Sequence, residues 1–112
     1  MSNQAINIKF EPLRSRAFGS INGTYSAIGT PFSNPCRILL IQNQTDVLLT
    51  FSDDGVTDNL VLPAGGFILL DVTSNKTSTG GAAYFAQGTV FWVKGAPTSG
   101  SVYVSVLYGF NG

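Results

Sequence analysis

Histidine is absent from this chain, charged residues are scarce, and cysteine, methionine and tryptophan each occur once. General acid–base catalysis usually relies on histidine or on carboxylates with shifted pKa values, and the only glutamate is Glu11. The sequence contains no G-x-S-x-G motif, and no histidine is present to activate a serine. We therefore expect a protein that is not an enzyme and binds no cofactor.

The scarcity of metal ligands has a similar consequence. Cys36 has no second cysteine for an internal disulfide and no histidine for a metal site, so we expect it to be a small apolar residue at the start of a buried strand. Carboxylates cluster only at Asp53, Asp54 and Asp58, without the spacing of an EF-hand loop. Turn-forming hydrogen bonds explain these aspartates, so we predict no metal ligand; a calcium site is the alternative interpretation.

Low charge also limits the possible partners. Asp, Glu, Lys and Arg make up 11% of the chain, against roughly 25% in an average soluble domain. Six basic and six acidic residues cancel, so no basic surface is expected to bind nucleic acid. The N-terminus lacks the pattern of a secretion signal, and no run approaches the roughly 20 apolar residues of a membrane span. A surface that is polar but uncharged suits burial against other proteins.

Turn residues separate short runs rich in β-branched, aromatic and leucine residues at intervals of about 8–12 residues, which is typical of a β-sandwich or barrel. A chain of 112 residues is long enough for one such domain. With an early strand near residues 6–11, about eight strands are predicted in an all-β sandwich. The later predicted strands are Cys36–Gln42, Asp46–Ser52, Asn59–Leu62, Phe67–Thr73, Ala82–Ala86, Thr89–Lys94 and Ser101–Tyr108.

The strand patterns also predict which faces are buried. In the last strand Val102, Val104 and Val106 alternate with polar residues, so the valine face should lie in the core. The segments CRILLI and FILL are apolar on both faces, which indicates strands that are covered from two sides. We expect another subunit to provide part of the second covering.

Turn chemistry predicts three connections. Asn43–Thr45 and Asp53–Gly55 fit tight turns, because Asn, Asp and Gly tolerate positive φ or hydrogen-bond to their own backbone. Pro63–Gly66 must interrupt a strand ladder, since proline has no N–H to donate.

The first 35 residues differ from the sandwich core predicted over residues 36–112. After the early strand, the segment is rich in Gly, Ser, Asn and Pro, and we expect an extended arm or long loop that lies over a neighbouring subunit. An ordinary loop is the alternative. Interface residues are predicted from position, and for tryptophan from its enrichment at subunit contacts; they are Phe10, Phe18, Tyr25, Phe32, Trp92 and Tyr103.

Residues 36–109 resemble small β-structured proteins of tailed phages and prophages, including capsid decoration or cement proteins. The motifs that carry the resemblance are the Asp-Gly turn before Asp58, Leu62–Gly65, Asp71 with Asn75-Lys76, Ala86–Thr89, and Pro97–Gly100 ahead of VYVSVLYG. The resemblance implies a jelly-roll-like sandwich and a virion protein of the capsid surface that is made in the host cytoplasm. It also implies binding to the major capsid protein and to copies of itself, which stabilises the shell.

Two other functions fit the same sequence. The first is a glycan-binding module of a head or tail fibre, with Trp92 and Tyr84 as stacking rings and the loops Asp53–Asp58 and Ser74–Gly81 as its surface. The second is a low-copy connector or tail protein, which copy number and location would distinguish.

Overall fold

The computed structural model describes residues 6–71 and 85–111, which form nine strands and one short 3₁₀ turn, Phe18–Ser20. Each strand corresponds to a run of β-branched, aromatic or leucine residues, except the short β2 and β3. The strands are β1 (Ile6–Phe10), β2 (Arg14–Ala17), β3 (Ser26–Ala27), β4 (Ile38–Thr45), β5 (Leu49–Ser52), β6 (Leu60–Leu62), β7 (Phe67–Asp71), β8 (Trp92–Lys94) and β9 (Gly100–Asn111).

The strands form two antiparallel sheets. The five-stranded sheet has the order β1–β9–β4–β7, and β2 also pairs with β9. Because β1 and β2 pair with successive parts of β9, they act as one edge strand that bends at residues 11–13. The Glu11 N–H still donates to the Val106 carbonyl at 2.9 Å, whereas Pro12 has no N–H to donate. The four-stranded sheet has the order β3–β8–β5–β6.

The strand order is that of a jelly roll. With β1 and β2 counted as one bent strand, the chain alternates between the sheets except at the β5–β6 hairpin. The last strand, β9, returns to lie between the first strand and β4. This is the double Greek-key connectivity of an eight-stranded jelly roll. The predicted all-β sandwich is therefore confirmed, and its strand order is jelly-roll-like.

The core lies between the two sheets. Val102, Val104 and Val106 of β9 are fully buried, which confirms the predicted valine face. Their neighbours on β4 include Leu39 and Ile41. The other sheet and the loops contribute the remaining buried apolar side chains: Ile21, Ile28, Phe32, Cys36, Leu49, Phe51, Leu62, Phe91 and Val93.

The predicted strands need three adjustments. Only the end of Ala82–Ala86 is described, and there Phe85 forms an isolated bridge with Cys36. The strands predicted at Asp46–Ser52 and Thr89–Lys94 begin later, at Leu49 and Trp92. The predicted turn at Asn43–Thr45 is wrong, because these residues continue β4.

Asn43 can lie in a buried part of β4 because other protein groups satisfy the hydrogen bonds of its side chain. Its amide nitrogen donates to the carbonyls of Val47 and Leu62 at 2.9 Å and of Pro63 at 3.1 Å. Its side-chain oxygen accepts hydrogen bonds from the backbone N–H and the hydroxyl of Thr45. This fully buried amide thus joins β4 of one sheet to the end of β6 in the other.

Residues 11–34 are integrated into the sandwich of their own chain. Beyond β2 and β3, this segment places Ile21, Ile28 and Phe32 in the core. It is also held by Arg14, which donates to the carbonyls of Thr30 and Pro31 at 2.6 and 2.9 Å. Spaced single apolar residues in a Gly- and Ser-rich segment gave no periodic signal, which is why the segment looked loose.

The charges of Glu11 and Arg14 are paired inside this segment. Both side chains are nearly fully buried, and they form an ion pair at 2.7 Å. The Glu11 carboxylate also accepts hydrogen bonds from the Ser33 N–H and the Asn34 amide. Burial alone would raise the pKa of Glu11, but the hydrogen bonds from Asn34, Ser33 and Arg14 and the Arg14 charge hold it below its ordinary value.

Replacing Asn43 should test its bracing role. Asn43→Ala removes the donor for three carbonyls at the junction of the two sheets, so we expect a loss of about 2–4 kcal/mol in unfolding free energy. Gln44→Ala, at the exposed neighbouring position of the same strand, should change stability by less than about 0.5 kcal/mol. Urea unfolding measures both, and equal effects would contradict the role given to Asn43.

Replacing Glu11 should give a pH-dependent loss of stability. Because the folded pKa of Glu11 is lowered, its contribution is present above the unfolded pKa of about 4.3 and is lost as pH falls through the folded pKa. We expect Glu11→Gln to cost about 3 kcal/mol at pH 7, since it leaves the Arg14 charge buried and unpaired. The difference from wild type should shrink at pH 3. Denaturant unfolding at both pH values measures it, and a pH-independent difference would refute the assignment.

Candidate interaction surface

The side of the five-stranded sheet that faces away from the core is largely apolar. Residues directly opposite in antiparallel strands share one face, so the strand register identifies its members. Phe10 lies opposite Leu107, which lies opposite Ile38; Leu40 lies opposite Leu69. We call the following set the apolar outer face: Ile8, Phe10, Ile38, Leu40, Phe67, Leu69 and Leu107.

Much of this surface is open to solvent. Phe10 is 70% exposed, Phe67 63%, Leu69 57% and Ile8 46%, while the remaining three members are half-buried. Single exposed apolar residues are common on soluble proteins, but a contiguous group spanning four strands is not. The predicted apolar character of both faces of β4 and β7 is thus seen, and no other segment among residues 6–71 and 85–111 covers the second face.

Charge is nearly absent from this side of the sheet. The other outward-facing positions carry Ser15, Gln42, Tyr103, Ser105 and similar uncharged residues. Among the described outward positions of the five strands, Asp71, at the end of β7, carries the only charge. A partner could therefore cover this face without having to neutralise several charges.

The outer side of the four-stranded sheet has a different character. Tyr25 donates its hydroxyl proton to Asp58, and the Lys94 ammonium lies 3.0 Å from the same carboxylate and 4.6 Å from the centre of the Tyr25 ring. Desolvation and the hydrogen bond to Asp58 raise the pKa of Tyr25 to about 12. The hydrogen bonds from Tyr25 and Lys94 lower the pKa of Asp58. These charged groups are paired with each other on the opposite side from the apolar outer face.

The loop between β5 and β6 folds back onto Trp92. Asp54 accepts hydrogen bonds from the N–H groups of Thr57 and Val56 and from the Ser52 hydroxyl, which hold its pKa well below the usual range. This confirms the predicted turn chemistry at Asp53–Gly55. A Cβ built on Gly55 would lie 3.1 Å from two atoms of the Trp92 ring, so the loop lies directly against the indole.

The six predicted interface residues lie in different places. Phe10 and Tyr103 lie on the outward side of the five-stranded sheet, and Phe18 is exposed in the 3₁₀ turn. Tyr25 and Trp92 lie on the other sheet. Phe32 is 2% exposed and packs against Phe91 at a ring separation of 5.9 Å, so it is a core residue and not an interface residue.

Several members of the apolar outer face were not among the interface residues predicted from the sequence. The signal for Phe67 and Leu69 was present in the doubly apolar FILL segment, and the signal for Leu40 in CRILLI. Ile8 gave less indication, because alternation alone did not reveal which side of the early strand would be outward. Strand pairing, which sequence spacing does not provide, brings them together.

The described residues hold no group of three or more potential metal ligands, and none of their helices is long and apolar enough to cross a membrane. Tyr84 and the loop Ser74–Gly81 lie outside the described residues, so the glycan-binding alternative remains a prediction. Cys36 is fully buried, its Sγ lies 3.1 Å from the Ile38 carbonyl, and burial raises its thiol pKa.

The sequence matches no protein-family model and no curated protein. One solved structure aligns with 99% of this chain and 96% of its own, at 15% sequence identity and a TM-score of 0.44. That structure is of a Bacillus endospore appendage from a family of disulfide-linked pili, so that protein is a structural component of a bacterial appendage and not of a phage. A superposition this loose carries no argument about function.

The packing of the loop on Trp92 can be tested with a matched pair of glycine variants. Gly55 and Gly65 have φ values of +77° and +76°, but no atom lies within 4 Å of a Cβ built on Gly65. Alanine at either site should cost about 1 kcal/mol from backbone strain. Gly55→Ala should cost roughly 1 kcal/mol more and shift the fluorescence of the sole tryptophan to longer wavelength, because the added methyl pushes the loop off the indole. Equal stability losses with unchanged emission would contradict this contact.

Proposed function

We propose that this protein is a structural component of a tailed-phage virion that binds to the capsid shell and stabilises it, as decoration proteins do. The observation that carries the proposal is the apolar outer face. Within the described residues, this face of the sheet leaves four apolar side chains largely exposed and three half-buried, and a neighbouring subunit would bury them.

Three further features support the proposal. The strand order is that of jelly rolls, an architecture that occurs in viral capsid proteins among others; this argument rests on fold analogy. Charge makes up only 11% of the chain, so few ionic groups lose water when its surface is buried. The turn motifs within residues 36–109 resemble those of small phage structural proteins.

The mechanism would be mass action. A protein that binds the assembled shell better than free shell subunits shifts the equilibrium toward the assembled state. Covering the apolar outer face with a neighbouring subunit of the assembly would remove on the order of 400 Å² of apolar surface from water per copy, worth roughly 10 kcal/mol before the costs of association. Many copies acting together would raise the resistance of the shell to disassembly. The role requires no catalysis, cofactor or metal.

Copy number in purified particles tests this function. Quantitative mass spectrometry of virions should find this protein at a ratio near that of the main shell protein, corresponding to hundreds of copies. The matched control is the same measurement on the host lysate after particles have been removed. A ratio corresponding to a dozen copies or fewer would favour a connector or tail component. Absence from the particles would contradict a virion role altogether.

A further inference from the structure

We infer that a second copy of this chain covers the apolar outer face, and that the two five-stranded sheets pack face to face. The inference rests on the proposed structural role, which makes this face an interface, and it names the partner. It is argued from the extent, the charge and the shape of the surface.

The extent of the surface suits a stable dimer. Four strands spaced about 4.8 Å apart and rows of side chains along β9 give a face on the order of 20 by 30 Å. The four most exposed members alone present on the order of 400 Å² of apolar area, which lies within the range of functional patches. With the surrounding uncharged Ser, Gln and Tyr side chains, the face approaches the roughly 800 Å² that each partner buries in a standard interface.

The lack of charge favours a second copy over a different protein. In an interface with two-fold symmetry the same patch occurs on both sides, so a central charge would face a like charge. Where two different proteins meet, their charged and polar groups are arranged so that the electrostatic potentials are complementary. Here Asp71 lies at the margin, while Glu11 and Arg14 are paired inside the segment and Lys94 is paired on the opposite sheet.

The shape of the surface allows two copies to interdigitate. Phe10 projects from one edge strand in the row of Ile38, and Phe67 projects from the other edge strand in the row of Gln42. The two exposed rings therefore stand at opposite corners. The row between them carries the small Ser105 beside Leu40 and Leu69. Sheets packed face to face lie about 10 Å apart with interdigitating side chains, which is the arrangement that already forms the core of this chain.

Sedimentation of the purified full-length chain over a concentration series tests the inference with a matched pair of variants. Leu69 and Val61 lie on edge strands of opposite sheets and are 57% and 54% exposed. We expect the wild type to dimerise, Leu69→Lys and Phe10→Lys to raise the dissociation constant at least about 100-fold, and Val61→Lys to leave it within about threefold. Circular dichroism and thermal unfolding establish that each variant is folded.

The possible outcomes separate this inference from the proposed function. A wild-type chain that stays monomeric up to about 1 mM would overturn the second-copy inference, even if particles contain hundreds of copies, because the shell protein would then be the partner. A dimer that is disrupted by Val61→Lys but not by Leu69→Lys would overturn it as well. A dimer disrupted by Leu69→Lys would support it, even if the protein were absent from virions. If Leu69→Lys does not fold, the result for Phe10→Lys decides.

Discussion

The pairing of β9 with three other strands is the constraint on which the rest of the structure depends. This strand of twelve residues pairs with β1 and β2 along one side and with β4 along the other. Its alternation sends Val102, Val104 and Val106 into the core, and the register then determines which side chains of its neighbours face inward. A shift of one residue would exchange the two faces of the whole sheet.

Two buried polar groups keep the surrounding chain in register. Asn43 joins the end of β4 to the loop between β4 and β5 and to the end of β6, so it couples the two sheets at one end. Glu11 and Arg14 hold the N-terminal segment in place through their ion pair and their hydrogen bonds. The loops of this segment between β2 and β4 have few strand hydrogen bonds. Apolar packing would tolerate several arrangements of these loops, whereas hydrogen bonds to particular carbonyls fix their positions.

Local patterns were sufficient to predict some of this architecture but not all of it. The valine face of β9 and the break at Pro63–Gly66 follow from side-chain alternation and from proline chemistry, and both are seen. Asn43 looked like a turn residue because its preference for turns is a local property, and its burial depends on carbonyls up to 20 residues away. Phe32 looked available for an interface because its flanking Pro and Ser residues suggest a surface loop. Only the folded chain shows that it packs against Phe91.

The two outer sides of the sandwich have different physical requirements, and this difference connects the fold to its function. On the four-stranded sheet, the Asp54 loop covers part of Trp92, and Tyr25, Asp58 and Lys94 satisfy one another. On the five-stranded sheet, no loop of the described residues performs the equivalent task for Phe10 or Phe67. At outward positions where Thr or Lys would suit a soluble monomer better, the five-stranded sheet carries aromatic or aliphatic residues. The opposite side shows that the same chain can form a polar surface. The asymmetry is therefore best explained by a surface that is buried in an assembly.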